Sequence, residues 1–421
     1  MVRPIDATSA AVTKEVDLFP LSEARVLAVT SLRNSGPGSL RAALREKGPR
    51  LVVFEVGGVI DLEGRSLEID DPFVFVAGET APLPGITLIR GSLLIETDHV
   101  IVRHLAVRPG DGRKDPSAAW QPDGITVARG PRPAYDVLIQ NCSATWAVDE
   151  NMSVSGPRDT RPSAGADATA HGVSFRDNLI AEALLNSTHE KGPHSMGLLV
   201  HDGIRDVTIA GNLFAHNRER NPRLKGGVAA AVIGNVIYNW GSAAIGVGAR
   251  GNLEVLEGVR AVVRNNVAIA GPDTKGRVLV RALDPGAFVE AAGNLARDRA
   301  GNDLRELDAG ITPLGASGAG PSEATPAATL NAVLRGAGAR PAERDPIDRR
   351  IVESLVSGTG RIIDSQSQVG GYPVRPESRR PVQVPAGAPA RRDFLQQRMA
   401  ALATDKDLDI SALLNRLKLP R

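Results

Sequence analysis

A short phrase recurs along the middle of this chain: a hydrophobic residue, any residue, a hydrophobic residue, two more, then asparagine. Val173-Ser174-Phe175 leads to Asn178, Val207-Thr208-Ile209 to Asn212, Ala230-Ala231-Val232 to Asn235 and Ala261-Val262-Val263 to Asn266. Val137-Leu138-Ile139 leads to Asn141 in the same sense, one residue shorter. The four full phrases set their asparagines 34, 23 and 31 residues apart. A single coil of about 22 residues with loops of variable length accounts for that irregular period, and repeats of this size point to a solenoid. Stacked coils would put the asparagines in a ladder, with side-chain amides bonding from turn to turn. The alternative is a set of ordinary strand-ending turns, because asparagine tolerates the left-handed region.

Between about residues 50 and 300, β-branched runs alternate with Gly, Asn and Asp turns, and helical periodicity is scarce. With 44 glycines, 29 prolines and only 3% aromatics in 421 residues, turns are favoured over a helical bundle. A solenoid has open ends that need caps. Ser39-Leu40-Arg41-Ala42-Ala43-Leu44-Arg45-Glu46 reads as a short amphipathic helix with Leu40, Ala43 and Leu44 on one face. It stands ahead of the expected first strand, Leu51-Val52-Val53-Phe54, and suits the N-terminal cap. Asp345-Pro346 starts another helix, with Asp as N-cap and Pro at the first position, and Ile347, Ile351 and Leu355 recur every four residues. Residues 313–345 read as a linker, 375–393 as irregular, and 394–417 as a peripheral helical segment.

Net charge is only +2, so nothing global marks a nucleic-acid binder, and an anionic partner must meet local patches. Cys142 is the sole cysteine and is expected to be a buried, inert thiol. No apolar run approaches the ~18 residues of a membrane span. Met1 to Ala10 lacks a hydrophobic signal core, so either the protein is cytoplasmic or a secretion signal has been removed.

One hexapeptide departs from the repeat. Arg220-Asn221-Pro222-Arg223-Leu224-Lys225 holds three cations around a proline, just after the strand-like run that ends at Phe214. It resembles the Arg-x-Pro-Arg-x-Arg signature of the pectate lyase family, with Lys225 at the last arginine; the plain alternative is a basic turn. The resemblance extends to Asn34-Ser35-Gly36-Pro37-Gly38-Ser39, to Ala77-Gly78-Glu79-Thr80-Ala81-Pro82 and to Val102-Arg103-His104. It continues through Trp146-Ala147-Val148-Asp149-Glu150-Asn151 and His216-Asn217, and ends on Ile363-Asp364-Ser365-Gln366 with Val369-Gly370-Gly371-Tyr372-Pro373. It covers about residues 28–374.

The resemblance implies an all-β, right-handed parallel β-helix with an N-terminal capping helix and a C-terminal helical or irregular extension. Expected boundaries are an N-terminal extension at 1–27, the β-helix at 28–312, a linker and packing helix at 313–374 and a tail at 375–421. The resemblance also implies calcium-assisted β-elimination on pectate by a monomer that is secreted or periplasmic. The partner is an acidic polysaccharide, with no nucleic acid and no membrane.

Elimination removes a proton from C5 of a uronate and expels the C4 glycosidic oxygen, so charge grows on the carboxylate between them. Calcium takes oxygen ligands. The resemblance gives the metal to Asp123, in an Asp-x-Ile motif, and to Asp149, the first acid of a pair set four residues apart. Ser153 stands where the second acid is often found. Strand parity puts Val148, Met152 and Val154 inside and turns Asp149, Asn151 and Ser153 outward; it turns Glu150 inward unless the strand begins after it, which leaves Glu150 a lesser ligand. The resemblance makes Arg220 the proton-abstracting base and gives substrate carboxylates to Arg223 and Lys225. The family's substrate lysine falls at His194 or Ser195, with Lys191 close by. Alternation alone cannot put Arg220 and Arg223 on one face, so Pro222 must bend the strand or Arg220 must sit on the turn before it.

His189, His194, His201 and His216 fall in the middle coils without a short metal-ligand motif, and read as hydrogen-bonded groove or core residues rather than a zinc site. Asp202 is a groove candidate beside His201. Trp146 and Trp240 suit core packing better than sugar stacking.

A lyase acting on a different uronate polymer, or a β-helix that only binds carbohydrate or serves structurally, are the competing readings.

Overall fold

The computed structural model describes residues 19–130, 132–157, 169–248, 258–284, 286–315 and 324–419. Most of the expected N-terminal extension therefore lies outside the described residues. The chain winds as a right-handed parallel β-helix whose coils contribute to three sheets of eleven, nine and ten strands. Each coil runs from the first sheet, of eleven strands, to the third, of ten, and then to the second, of nine. One coil, for instance, passes through Tyr135–Gln140, Ser143–Thr145 and Glu150–Val154. Among the described residues the strands pair in parallel except Val56–Asp61 with the two-residue strand Ser378–Arg379, and an isolated antiparallel bridge joins Arg297 to Asp303.

The asparagine ladder sits at the corner between the first and third sheets. Asn178 donates its side-chain amide to the Asn212 side-chain oxygen at 3.0 Å, Asn212 to Asn235 at 2.9 Å and Asn235 to Asn266 at 2.9 Å. Asn294 adds an unforeseen rung, 2.9 Å from Asn266. Each side-chain oxygen also accepts the backbone N–H of the asparagine one coil earlier, so the corner's buried polar groups are paired. The shorter phrase falls out of register. Val137 pairs with Val173 and Ile139 with Phe175, so Cys142, not Asn141, stands opposite Asn178. Asn178 accepts from the Cys142 N–H at 2.8 Å, while Asn141 reaches outward to the Gly336 carbonyl at 2.9 Å. The Cys142 thiol is buried among core side chains, and burial pushes it up to about 12.

The N-terminal cap forms as expected. Helix α1 (Leu40–Arg45) is capped by Ser39 and buries Leu40, Ala43 and Leu44 against the coil interior. The first strand is Arg25–Val29, ahead of this helix, and pairs with Arg50–Phe54; its alternation is weak because its exposed positions include the apolar Val26 and Ala28. The expected linker holds a helix, α2 (Pro326–Gly336), N-capped by Thr325 and burying Leu330, Val333 and Leu334. The Ala- and Gly-rich composition of the segment hid that short apolar stripe. Helix α3 (Pro346–Ser357) starts at Asp345-Pro346, whose carboxylate accepts from the Ile347 and Asp348 N–H groups. The tail is less irregular than its composition suggests: α4 (Ala388–Leu402) begins inside the Pro- and Arg-rich segment, and α5 (Ser411–Arg416) follows a break.

These helices cover outer faces of the coil. On the third sheet, Ile180, Phe214, Ile237 and Ala268 point inward, while Leu179, Leu213, Val236 and Val267 point outward into a cluster with α2, α3 and α5. Helix α4 packs Leu395 near Phe75 and Leu138 on the first sheet. The second sheet's outer row has different side chains, and there the candidate residues meet.

Candidate active site

On the second sheet, Ile125 and Val127, Met152 and Val154, Leu198 and Val200, and Leu224 enter the core. The residues between them face out, and register aligns them across coils: Thr126 with Ser153, Ser153 with Leu199, Leu199 with Arg223. This row floors a cavity of about 400 Å3. Asp123, Asp149, Ser153, Lys191, His194, Arg220, Arg223 and Lys225, the eight candidates read from the sequence, all line it. So do Glu150, Arg129 and His201.

A local insertion brings Arg220 onto this face. Met196 bridges to Glu219 and Leu199 pairs with Arg223, so three steps on one coil face four on the next. The extra residue acts as a bulge, which re-aims side chains. Arg220 takes it up in the left-handed region at φ 64° and sits on the turn before the strand Arg223–Leu224. Such a conformation costs roughly 1–3 kcal/mol and needs external support. Support comes from Asn221, which is buried and accepts from the Asn217 amide at 3.0 Å; Asn217 in turn accepts from Asn151 at 3.2 Å. A Cβ at Gly197 would strike the Arg220 carbonyl oxygen, so the facing coil must be glycine there.

That second asparagine chain corrects the parity reading of the acidic strand. Asn151, expected outside, is buried: it accepts from the Ala147 N–H at 3.0 Å and donates to the Ala181 carbonyl at 2.9 Å. The unpaired backbone of the corner draws its amide inward. Glu150, expected inside, lines the cavity as the first residue of the strand Glu150–Val154. Regular alternation starts only at Met152 and Ser153. Val148 is buried, but in the cluster outside the third sheet rather than in the coil interior.

The acids converge. Ligand atoms of Asp123, Asp149 and Glu150 lie within 4.8 Å of one another. Asp123 accepts from Thr126 Oγ1 at 2.6 Å, from Ser153 Oγ at 2.9 Å and from the Glu150 N–H at 3.2 Å. Burial, then the neighbouring Asp149 charge, push the Asp123 carboxyl up to about 6. For Asp149 burial works upward too, but the His194 hydrogen bond and charge, with Arg220 and His189, hold it below its ordinary value. Glu150 is in direct ion-pair contact with the Arg220 guanidinium. Burial is the main cause that brings Arg220 down to about 10; Asp149 and Asp123 oppose it and Arg223 adds to it.

The histidines are hydrogen-bonded, as expected. His194 Nε2 lies 2.9 Å and His189 Nε2 3.6 Å from the Asp149 carboxylate, with the two rings stacked at 3.6 Å. Asp149, His189 and His194 also have ligand atoms mutually within 4.8 Å. The Lys191 N–H donates to His189 Nδ1 at 3.0 Å, which puts the proton of the neutral ring on Nε2. That nitrogen therefore offers Asp149 a donor and not a lone pair for a metal. His216 is core: Nε2 meets Ser354 Oγ at 2.7 Å, and burial takes the ring down to about 4. Asp202 is buried behind the groove, 2.9 Å from Lys225 Nζ and 2.8 Å from His201 Nδ1. Burial would raise its carboxyl, but these two partners bring it down to about 2. Trp146 and Trp240 are fully buried. Glu150 and Arg129 were the residues sequence reasoning undervalued or missed; nothing local distinguishes Arg129 from a surface charge just past a strand.

No family model matches the chain. Curated proteins do. An Aspergillus flavus protein named "Probable pectate lyase C" is 30% identical over 368 residues, 83% of this chain and 77% of that protein. The chain belongs to the pectate lyase family. With it, the chain falls among the polysaccharide lyases. The Emericella nidulans "Probable pectate lyase C" is 37% identical over 217 residues, 51% of this chain but only 44% of that protein, so there the chain spans less than half of its relative. Among solved structures, a pectate lyase bound to a hexasaccharide superposes with a TM-score of 0.50 at 14% identity, over 75% of this chain and 91% of that one. That likeness is one of fold.

Proposed function

We propose that this protein cleaves polygalacturonate, or a closely related polyuronate, by β-elimination with calcium held by the groove acids. The reading rests on one observation: the guanidinium groups of Arg220 and Arg223 share a single cavity with the carboxylates of Asp123, Asp149 and Glu150. The donor set fits calcium, since three hard carboxylates converge there. The Asp123 carboxylate, crowded by burial and a like charge that push it up to about 6, is further stabilised by a cation. Ser153 commits its proton to Asp123 and so orients a ligand, besides offering a lone pair of its own.

Negative charge growing on the uronate carboxylate is what a bound calcium would stabilise, as a Lewis acid. Arg220 takes the C5 proton. A guanidinium is ordinarily too basic for this, but burial brings Arg220 down to about 10 and makes its neutral form accessible at alkaline pH. Arg223, facing out one bulge away, binds a uronate carboxylate with two parallel N–H groups. Lys191 adds a point charge on the wall, His194 steadies Asp149, and Lys225 works from its anchorage on Asp202. A polymer too large to cross a membrane argues for action outside the cell or in the periplasm. Among the described residues no helix is long and apolar enough to span one.

The test is ultraviolet absorbance of the unsaturated product from polygalacturonate, with calcium and with chelator. Growth that chelator stops and calcium restores is expected. Growth only on another uronate polymer would change the substrate and keep the chemistry, and absence of double-bond formation on a broad polyuronate panel would overturn the reading. Activity should climb between about pH 7 and about pH 10 as neutral Arg220 becomes more populated; a rate that falls over this range would remove Arg220 as base.

A further inference from the structure

Three acids surround the groove cation position, and they are held in different ways. Asp123 is fixed by two hydroxyls and a backbone N–H. Asp149 is fixed by an imidazole donor. Both are oriented by groups with no part in proton removal. Glu150 is paired instead with Arg220, the group that must give up its own proton before it can take one from substrate. The Glu150 backbone is anchored beside Asp123 through its N–H, but its side chain has three rotatable bonds. In this one conformation a Glu150 oxygen meets the guanidinium while a ligand atom of the same carboxylate lies within 4.8 Å of Asp123 and Asp149, so a small turn of the side chain carries it from one partner to the other.

We propose that Glu150 is shared between two competing partners, the Arg220 guanidinium and the divalent cation of the groove, so that cation binding withdraws its carboxylate from Arg220. The inference rests on the reading of the groove as a cation-assisted lyase site. A buried carboxylate against a guanidinium favours the charged form of both, because breaking such a pair strands a charge. Without the cation, Arg220 is thus held against Glu150. A divalent ion at the acids competes for the same oxygens, and a Glu150 that turns to it leaves Arg220 facing substrate with Arg223 as its near neighbour. The cation then has two effects through one side chain: a third carboxylate completes its ligand set, and Arg220 loses its Glu150 partner only when the ion is present. Protonated Arg220 and bound cation oppose each other, and that opposition is measurable as a coupling between the two sites.

The test is a double-mutant cycle read by calorimetric titration of Ca2+ into the full, chelator-treated chain. Wild type, Glu150→Gln, Arg220→Ala and the double variant are compared, with thermal melts to check folding. Arg220→Ala should tighten Ca2+ binding about tenfold or more in the wild-type background, and change it less than about threefold in the Glu150→Gln background. Equal gains in both backgrounds would mean that removing a positive charge is the whole effect, and would overturn the sharing of Glu150. So would Ca2+ affinity that Glu150→Gln leaves unchanged. If wild type and Arg220→Ala both fail to take up Ca2+, the reading of the groove falls together with this inference. If wild type binds and the cycle closes without coupling, only the sharing falls. Glu150→Ala and Arg220→Gln repeat the cycle if a first variant unfolds.

Discussion

The outer rows of the third and second sheets come from the same coils, with the same rise and the same alternation. Leu179, Leu213, Val236 and Val267 form the row on the third sheet, and α2, α3 and α5 seal it. Thr126, Ser153, Leu199 and Arg223 form the row on the second, and a charged cavity lies over it. Burying each large aliphatic side chain of the first row contributes about 1.5–3 kcal/mol. In the second row that gain is given up. Asp123 and Asp149 crowd like charges, Arg220 sits in a strained backbone region, and Glu150 and Arg220 form an ion pair taken largely out of water. One scaffold thus divides its faces between stability and chemistry. Substitutions on the two rows should separate the two cleanly.

The largest effect is expected on the open face. Arg220→Ala should lower turnover by about a thousandfold or more in a chain that still folds, with the melting temperature lowered by the stranded Glu150 carboxylate; product absorbance and calorimetry check both halves, and a variant that retains turnover would break the contrast. On the covered face Leu213→Ala should do the opposite, costing about 2–5 kcal/mol in denaturant unfolding with KM and kcat intact. A groove that lost activity with it would show the rows to be coupled.

At the corner between them, Asn212→Ala leaves the Asn178 N–H unpaired among other buried groups. About 1–3 kcal/mol per orphaned group should follow, again seen in denaturant unfolding.

The smallest effect has the reverse sign. The folded Asp123 carboxyl sits near 6, above its ordinary 3.8, so the folded protein binds that proton more tightly than the unfolded chain. The resulting penalty is absent below about pH 4, grows as pH rises to about 6 and is complete above it. Asp123→Asn should therefore stabilise the chelator-treated protein by about 1–2 kcal/mol at pH 8 and not at pH 4, while abolishing elimination. Equal melting shifts at both pH values would remove ionisation as the cause.

Much of the coil was legible in the sequence, because its signal is local. A strand facing the core must alternate, and a corner that repeats must carry the same polar residue; the phrases ending in Asn178, Asn212, Asn235 and Asn266 say both. The cap at Ser39 and the helix start at Asp345-Pro346 were readable for the same reason. The phrase ending at Asn141 misled, since only strand register reveals that Cys142 occupies the rung. Helix α2 was lost in a composition suited to a linker, and its place is fixed by the apolar outer row it covers.

For the candidate site, the kinds of residue were set by the sequence: acids before two successive strands, and cations around a proline. Residue type determines what chemistry is available, whatever the chain does around it. Which of them meet was decided by tertiary structure alone. One extra residue between Glu219 and Arg223 turns Arg220 onto the face of Arg223. The corner's unpaired backbone pulls Asn151 in and leaves Glu150 in the groove. Such reversals depend on partners one or two coils away and 27 to 66 residues distant along the chain, and alternation counted along a single strand has no access to them.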